Sequence, residues 1–134
     1  MNNFYYQTFC DFDNSYSIII EDDGRVAYAY LLKDEDIIAD VWLYNHELAP
    51  AVANWEESDV PFINATIFIK AEAYANPIQN ENELDFKWAL ANEIIVVSIY
   101  INGILIACLK PGDFPGFSTM VVKDGPLAKV YEFS

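Results

Sequence analysis

The sequence predicts an all-β protein, an antiparallel sandwich or strongly bent sheet of roughly eight to nine short strands with one irregular or partly helical loop at 45–60. Three observations carry that expectation. The longest apolar run, residues 94–110, is split near its centre by Asn102-Gly103, the dipeptide that a two-residue type I′ hairpin favours because both positions take positive φ. Most of the remaining chain divides into short alternating segments rich in β-branched and aromatic residues, separated by Asp, Gly and Pro. Hydrophobic residues make up 54% of the 134 positions and charged ones 21%, which is the balance of a folded globule and fits one domain over 1–134.

Residues 1–13 are aromatic-rich and read as a first strand or a packed arm. Residues 16–21 (YSIIIE) and 25–33 (RVAYAYLLK) read as a hairpin turning at Asp22-Asp23-Gly24. A second acidic turn, 34–36, leads into a third strand at 37–44. Pro50 limits any helix in 45–60 to short pieces, and a loop of that length more often carries function than a short one. A long strand is expected at 61–74 and a polar loop at 76–83. Residues 84–91 (LDFKWALA) fit both periods. The strand is preferred because Asn92-Glu93 can then turn directly into Ile94 as a meander.

With Asn102 and Gly103 as the loop, the hairpin register puts Ile101 opposite Ile104, Ile99 opposite Ile106 and Val97 opposite Cys108. Both faces of that hairpin are then largely apolar, so it is expected to be central and covered on two sides. Pro111, Gly112, Pro115 and Gly116 punctuate a loop, and 118–122 and 127–133 are the last strands.

Charge and composition narrow the function. The net charge is −14 and it is uneven: residues 1–67 hold thirteen acids and two bases, residues 68–134 eight acids and five bases. A field of that sign repels nucleic-acid backbone and anionic membrane and attracts a basic protein. No apolar stretch reaches the ~20 residues of a membrane helix, and the N-terminus lacks a basic segment followed by an apolar core, so a cytoplasmic location is expected. Cys10 and Cys108 have no zinc spacing and read as small core residues.

Catalytic patterns are thin. His46 is the one histidine, with no nucleophile motif around it and no second histidine at zinc-protease spacing. The five glycines stand at turns, and none opens a phosphate loop. Asp11, Asp13 and Ser15 have the spacing of a calcium-loop start, but Tyr16 occupies the position where that loop needs glycine. No cofactor or metal is therefore expected.

What remains is acid and aromatic. Trp55 sits beside Glu56, Glu57 and Asp59 in the irregular loop, where an aromatic anchor in an acidic rim suits a basic surface. With Glu47 and the turn residues Asp34, Glu35 and Asp36, these form the expected partner-binding set. The expected function is a non-enzymatic acidic module that neutralises a basic protein, as a toxin's immunity protein does. A homodimer is compatible with it. The alternative is a carbohydrate or small-ligand domain using exposed aromatics, drawn from Tyr28, Tyr30, Trp42, Tyr44, Trp55 and Trp88.

Overall fold

The computed structural model describes residues 4–24, 26–45, 78–121, 124 and 127–130. Nine strands fall within them: β1 (Phe4–Phe9), β2 (Tyr16–Asp22), β3 (Val26–Lys33), β4 (Asp36–Asn45), β5 (Leu84–Ala91), β6 (Ile94–Ile101), β7 (Ile104–Leu109), β8 (Phe117–Ser118) and β9 (Lys129–Val130). Strands β1 to β4 make one sheet in chain order and β5 to β9 a second. The fold is all-β and sandwich-like, as the turn spacing and alternation imply. The expected strand at 61–74, and the 45–60 loop beyond Asn45, lie outside the described residues. No helix among the described residues is long and apolar enough to cross a membrane.

The turns form as their residue types dictate. Gly24 takes φ +87° at the β2–β3 turn, and its N–H donates to Asp22 Oδ1 at 2.9 Å. Asn102 (φ +51°) and Gly103 (φ +79°) make the expected tight hairpin loop. Asn92-Glu93 makes another, with φ +52° and +69°, so 84–91 is a strand that runs by a meander into β6. Ahead of β5, Asn80 and Glu83 close a reciprocal capping box over a single 3-10 turn, Glu81–Glu83.

One buried cluster unites the sheets. Ile18, Ile20, Ala29, Leu31, Ala39 and Val41 face it from the first, and Val97, Ile99, Ile101, Ala107 and Leu109 from the second. The alanines sit in register beside large residues, Ala29 opposite Ile20 and Ala39 opposite Leu31, so the layers interdigitate. Each fully buried Ile, Leu or Val contributes on the order of 1.5–3 kcal/mol relative to exposure.

The central hairpin departs from a regular ladder. Ile101 opposes Ile104, but Ile99 opposes Ala107 and Val97 opposes Leu109, with a register shift between Ile99 and Tyr100. Ile106 is the extra residue of a β-bulge, and Thr119 holds the bulge: its Oγ1 donates to Leu105 O at 2.7 Å and its N–H to Ile106 O at 2.8 Å. The bulge turns Ala107 and Leu109 into the core and moves Cys108 out to a half-buried position beside Ser98. The two faces of the hairpin are unequally covered: Ile95, Val97, Ile99 and Ile101 are buried, while Val96, Ser98 and Tyr100 are half-buried and Ile94 is exposed. An even-period count cannot register an inserted residue, and this is why the expected pairs of Ile99 with Ile106 and Val97 with Cys108 do not form.

Strand β4 carries two further register shifts against β3, leaving Ile38 and Leu43 as the extra residues. They bend the strand and re-aim its side chains. Past Leu43, Trp42 and Asn45 come to one side, where Trp42 Nε1 donates to Asn45 Oδ1 at 2.8 Å. The outer edge of β4 bonds to the second sheet's loops. Gly112 N–H donates to Ile38 O (2.9 Å), Asp40 N–H to Asp113 O (2.9 Å), Gly116 N–H to Asp40 O (2.8 Å) and Trp42 N–H to Leu127 O (3.0 Å). The sandwich is thus stitched along this margin. Gly116 is required there, since a Cβ would lie 2.5 Å from Leu109 Cδ2 and 2.7 Å from Cys108 O. The short β8–β9 pair is parallel, unlike the antiparallel pairing expected throughout.

Candidate functional site

Three of the expected partner-binding residues, Asp34, Glu35 and Asp36, are described, and all three are exposed at the β3–β4 turn. Glu47, Trp55, Glu56, Glu57 and Asp59 lie outside the described residues, as does His46. The turn is a tight pair, Asp34 at φ +49° and Glu35 at φ +75°. Left-handed backbone is tolerated by Asp and costs more at Glu, which lacks the short side chain that bonds locally.

The register brings a second acidic segment to the same end. Tyr16 opposes Lys33, so the β1–β2 connection lies beside the β3–β4 turn, and Asp34 N–H donates to Ser15 O at 2.8 Å. That connection contributes Asp11 and Asp13, both exposed, with Phe12 between them 50% exposed. Five carboxylates and one aromatic therefore converge on one end of the first sheet. Lys33 stands at its border, its Nζ 5.0 Å from the centroid of the Tyr16 ring. Sequence reasoning assigned the aromatic-in-acid arrangement to Trp55 and missed Phe12, Asp11 and Asp13. The signal was present: in an antiparallel meander alternate connections share an end, so the 10–15 and 34–35 connections fall together and the Asp22-Asp23-Gly24 turn opposite them.

Asp13 is tied within its own turn. Its Oδ1 accepts from Ser15 Oγ at 2.6 Å and from Ser15 N–H at 3.1 Å, and these bonds hold its carboxyl below the usual aspartate value. The calcium-loop spacing thus resolves as a local Asx-type turn. Among the described residues no group of three or more His, Cys, Asp or Glu side chains could hold a metal ion.

The acidic turn at 22–23 stands at the opposite end of β3, as the hairpin order implies, and it is built inward. Asp22 is buried, and Tyr44 OH donates to its Oδ2 at 2.5 Å. Asp22, Ala27 and Tyr44 lie in one row across β2, β3 and β4, and the small side chain of Ala27 leaves the phenol room to cross it. The same phenol oxygen accepts from Ile78 N–H at 2.9 Å. Burial, and then the bond to Asp22, push the Tyr44 hydroxyl far above an ordinary phenol. Asp23 Oδ1 accepts from Val26 N–H at 2.9 Å, so both acids of this turn bond within the fold.

The aromatics weighed for ligand stacking divide in the same way. Tyr28, Trp42 and Tyr44 are buried and fill the fold. Tyr30 is half-buried and stacks on Tyr28 with centroids 6.2 Å apart. Desolvation, with Glu21, Asp40 and Asp23 nearby, pushes its hydroxyl up to about 12. Trp88 is half-buried against the core. Among the described residues the exposed aromatics are Tyr5, Phe9, Phe12 and Phe114, none of which was among those weighed for ligand stacking. Cys10 is buried and Cys108 half-buried, both as free thiols.

No protein-family model, no curated protein and no solved structure matches this chain.

Proposed function

We propose that this chain is a non-enzymatic, acidic protein-binding module that neutralises a basic partner in the cytoplasm, with a toxin's immunity protein as its concrete form. The observation that carries the reading is that Asp11, Asp13, Asp34, Glu35 and Asp36, all exposed, share one end of the first sheet with the exposed Phe12. Like charges held on neighbouring turns repel one another, and a cationic surface relieves that repulsion on contact. An apolar side chain inside a charged rim supplies the desolvated centre that a protein interface needs. The net charge of −14 draws such a partner from a distance.

The test is binding of an Arg/Lys-rich peptide, read by fluorescence anisotropy, to the wild-type chain and to the Asp34→Asn/Glu35→Gln/Asp36→Asn variant. The expected result is tight binding at low salt, weakened at ~0.5 M salt where the Debye length shrinks to a few ångströms. The variant should bind several-fold more weakly at low salt. Binding indifferent to salt and to the substitutions overturns the reading.

A further inference from the structure

The margin of the sandwich opposite the stitched one is formed by β1 and β5, the outermost strands of the two sheets, whose side chains meet where Tyr6 stacks on Phe86 at 6.2 Å. The two strands are protected very differently. Strand β5 carries the exposed charges Asp85 and Lys87, the usual guard against a foreign strand. Strand β1, FYYQTF, has no charged residue and no proline, and its register against β2 runs from Phe4–Asp22 to Phe9–Ser17 without a bulge. Tyr5 is 60% exposed and Phe9 56% exposed, so both side chains present apolar surface to solvent.

The ladder fixes which backbone groups β1 offers. Cys10 N–H donates to Tyr16 O at 2.9 Å, so Cys10 faces β2 with its backbone. By antiparallel alternation Thr8, Tyr6 and Phe4 do the same, and the N–H and C=O groups of Tyr5, Gln7 and Phe9 point away from the sheet. Among the described residues no strand pairs with this edge.

The charge around the edge selects its occupant. Residues 1–24 contain five acids (Asp11, Asp13, Glu21, Asp22 and Asp23) and no lysine or arginine. Glu21 is exposed directly opposite Tyr5, and Asp11 and Asp13 follow the strand's C-terminal end. A second copy of this chain laid along β1 would bring these like charges together, which is unfavourable. We infer that β1 accepts an extended, basic segment of the partner as an added strand, with backbone bonds to Tyr5, Gln7 and Phe9 and cationic side chains beside Glu21, Asp11 and Asp13. Main-chain bonds then supply affinity and the alternating side chains supply selectivity. This inference rests on the proposed acidic-module reading and adds to it the mode of capture.

The probe is a peptide of alternating Lys and Val, with a second version N-methylated at alternate amides. The second keeps every charge and side chain but cannot donate along one edge. Binding of both is measured with the wild-type chain and with Tyr5→Pro, in which an outward N–H is removed at a position where an edge strand tolerates proline. The expected result is wild-type binding of the unmodified peptide, at least tenfold weaker binding of the methylated one, and at least tenfold loss in a Tyr5→Pro protein whose far-ultraviolet spectrum matches wild type. The methylated peptide gives its answer on wild-type protein even if the proline variant misfolds. Equal binding of both peptides, lost only in high salt, overturns strand addition and leaves the acidic module standing. No binding of either peptide overturns both. Dimerisation of the chain that competes with the peptide and is abolished by Tyr5→Pro assigns the edge to a second copy, and overturns the inference.

Discussion

The two ends of the first sheet use the same residue type in opposite ways. At the β2–β3 end, Asp22 is buried and bonded to Tyr44 OH and Gly24 N–H, and the phenol passes the connection on to Ile78 N–H. At the other end, Asp34, Glu35 and Asp36 stand exposed beside Asp11 and Asp13, and of these five only Asp13 has its carboxylate engaged in a hydrogen bond, within its own turn. A carboxylate with donors around it in the interior stabilises one chain conformation. A carboxylate in solvent adds little to stability and is available to a partner. Net charge alone therefore says little about binding, because part of it is committed to the fold.

This contrast is open to direct attack. The largest effect is expected at Asp22. Asp22→Ala removes the acceptor of both Tyr44 and Gly24 in a buried site and should lower stability by roughly 3 kcal/mol in chemical denaturation. A loss under ~0.5 kcal/mol, the range of ordinary surface substitutions, would erase the distinction between the two ends. Tyr44→Phe should cost about 2 kcal/mol, since Ile78 N–H loses the phenol oxygen while the ring still fills its place. At the exposed end the sign reverses. Asp34→Asn/Glu35→Gly installs the residues that a type I′ turn prefers and relieves the left-handed glutamate, so it should stabilise the protein by about 1 kcal/mol and still weaken capture of a cationic peptide. A variant that gained stability and kept full binding would place the binding surface elsewhere.

The smallest effect is a pH dependence. The Asp13 carboxyl is held below its ordinary 3.8 in the folded protein by Ser15. Its contribution is present above that value and is lost as pH falls through the lower folded one. The acid limb of the stability curve should therefore flatten slightly below 3.8 in Asp13→Asn, compared by thermal unfolding with wild type.

Much of the fold was legible because turns and alternation are local. Asn102-Gly103, Asp22-Asp23-Gly24 and Asn92-Glu93 each announce a reversal through residue types that take positive φ or bond back on themselves. What stayed hidden depends on insertions and distant partners. The bulges at Ile38, Leu43 and Ile106 leave no mark in a hydrophobic pattern that remains apolar on both sides. They decided that Cys108 leaves the core and that Trp42 and Asn45 meet. For the candidate site, Asp34, Glu35 and Asp36 were legible as an exposed acidic turn. Asp11, Phe12 and Asp13 were not joined to them, because that step needs the Tyr16–Lys33 pairing and not the composition of either segment. The fate of Tyr28, Trp42 and Tyr44 was equally closed to composition, since an aromatic on a strand looks the same whether it faces the interior or a ligand.

The stitching of β4 to residues 112–116 and to Leu127 has a kinetic consequence. The β1–β4 and β5–β7 meanders are assembled from hairpins between chain neighbours, which close quickly because little loop entropy is spent. The bonds from Ile38, Asp40 and Trp42 to Gly112, Asp113, Gly116 and Leu127 instead join opposite ends of the chain's contact map. They should be the last to form during refolding and the first to open in sub-global fluctuations. In native-state deuterium labelling, the amides of Gly112, Gly116 and Trp42 should exchange ahead of those at the centres of β2 and β6, and the seam would act as the zip fastener of the domain.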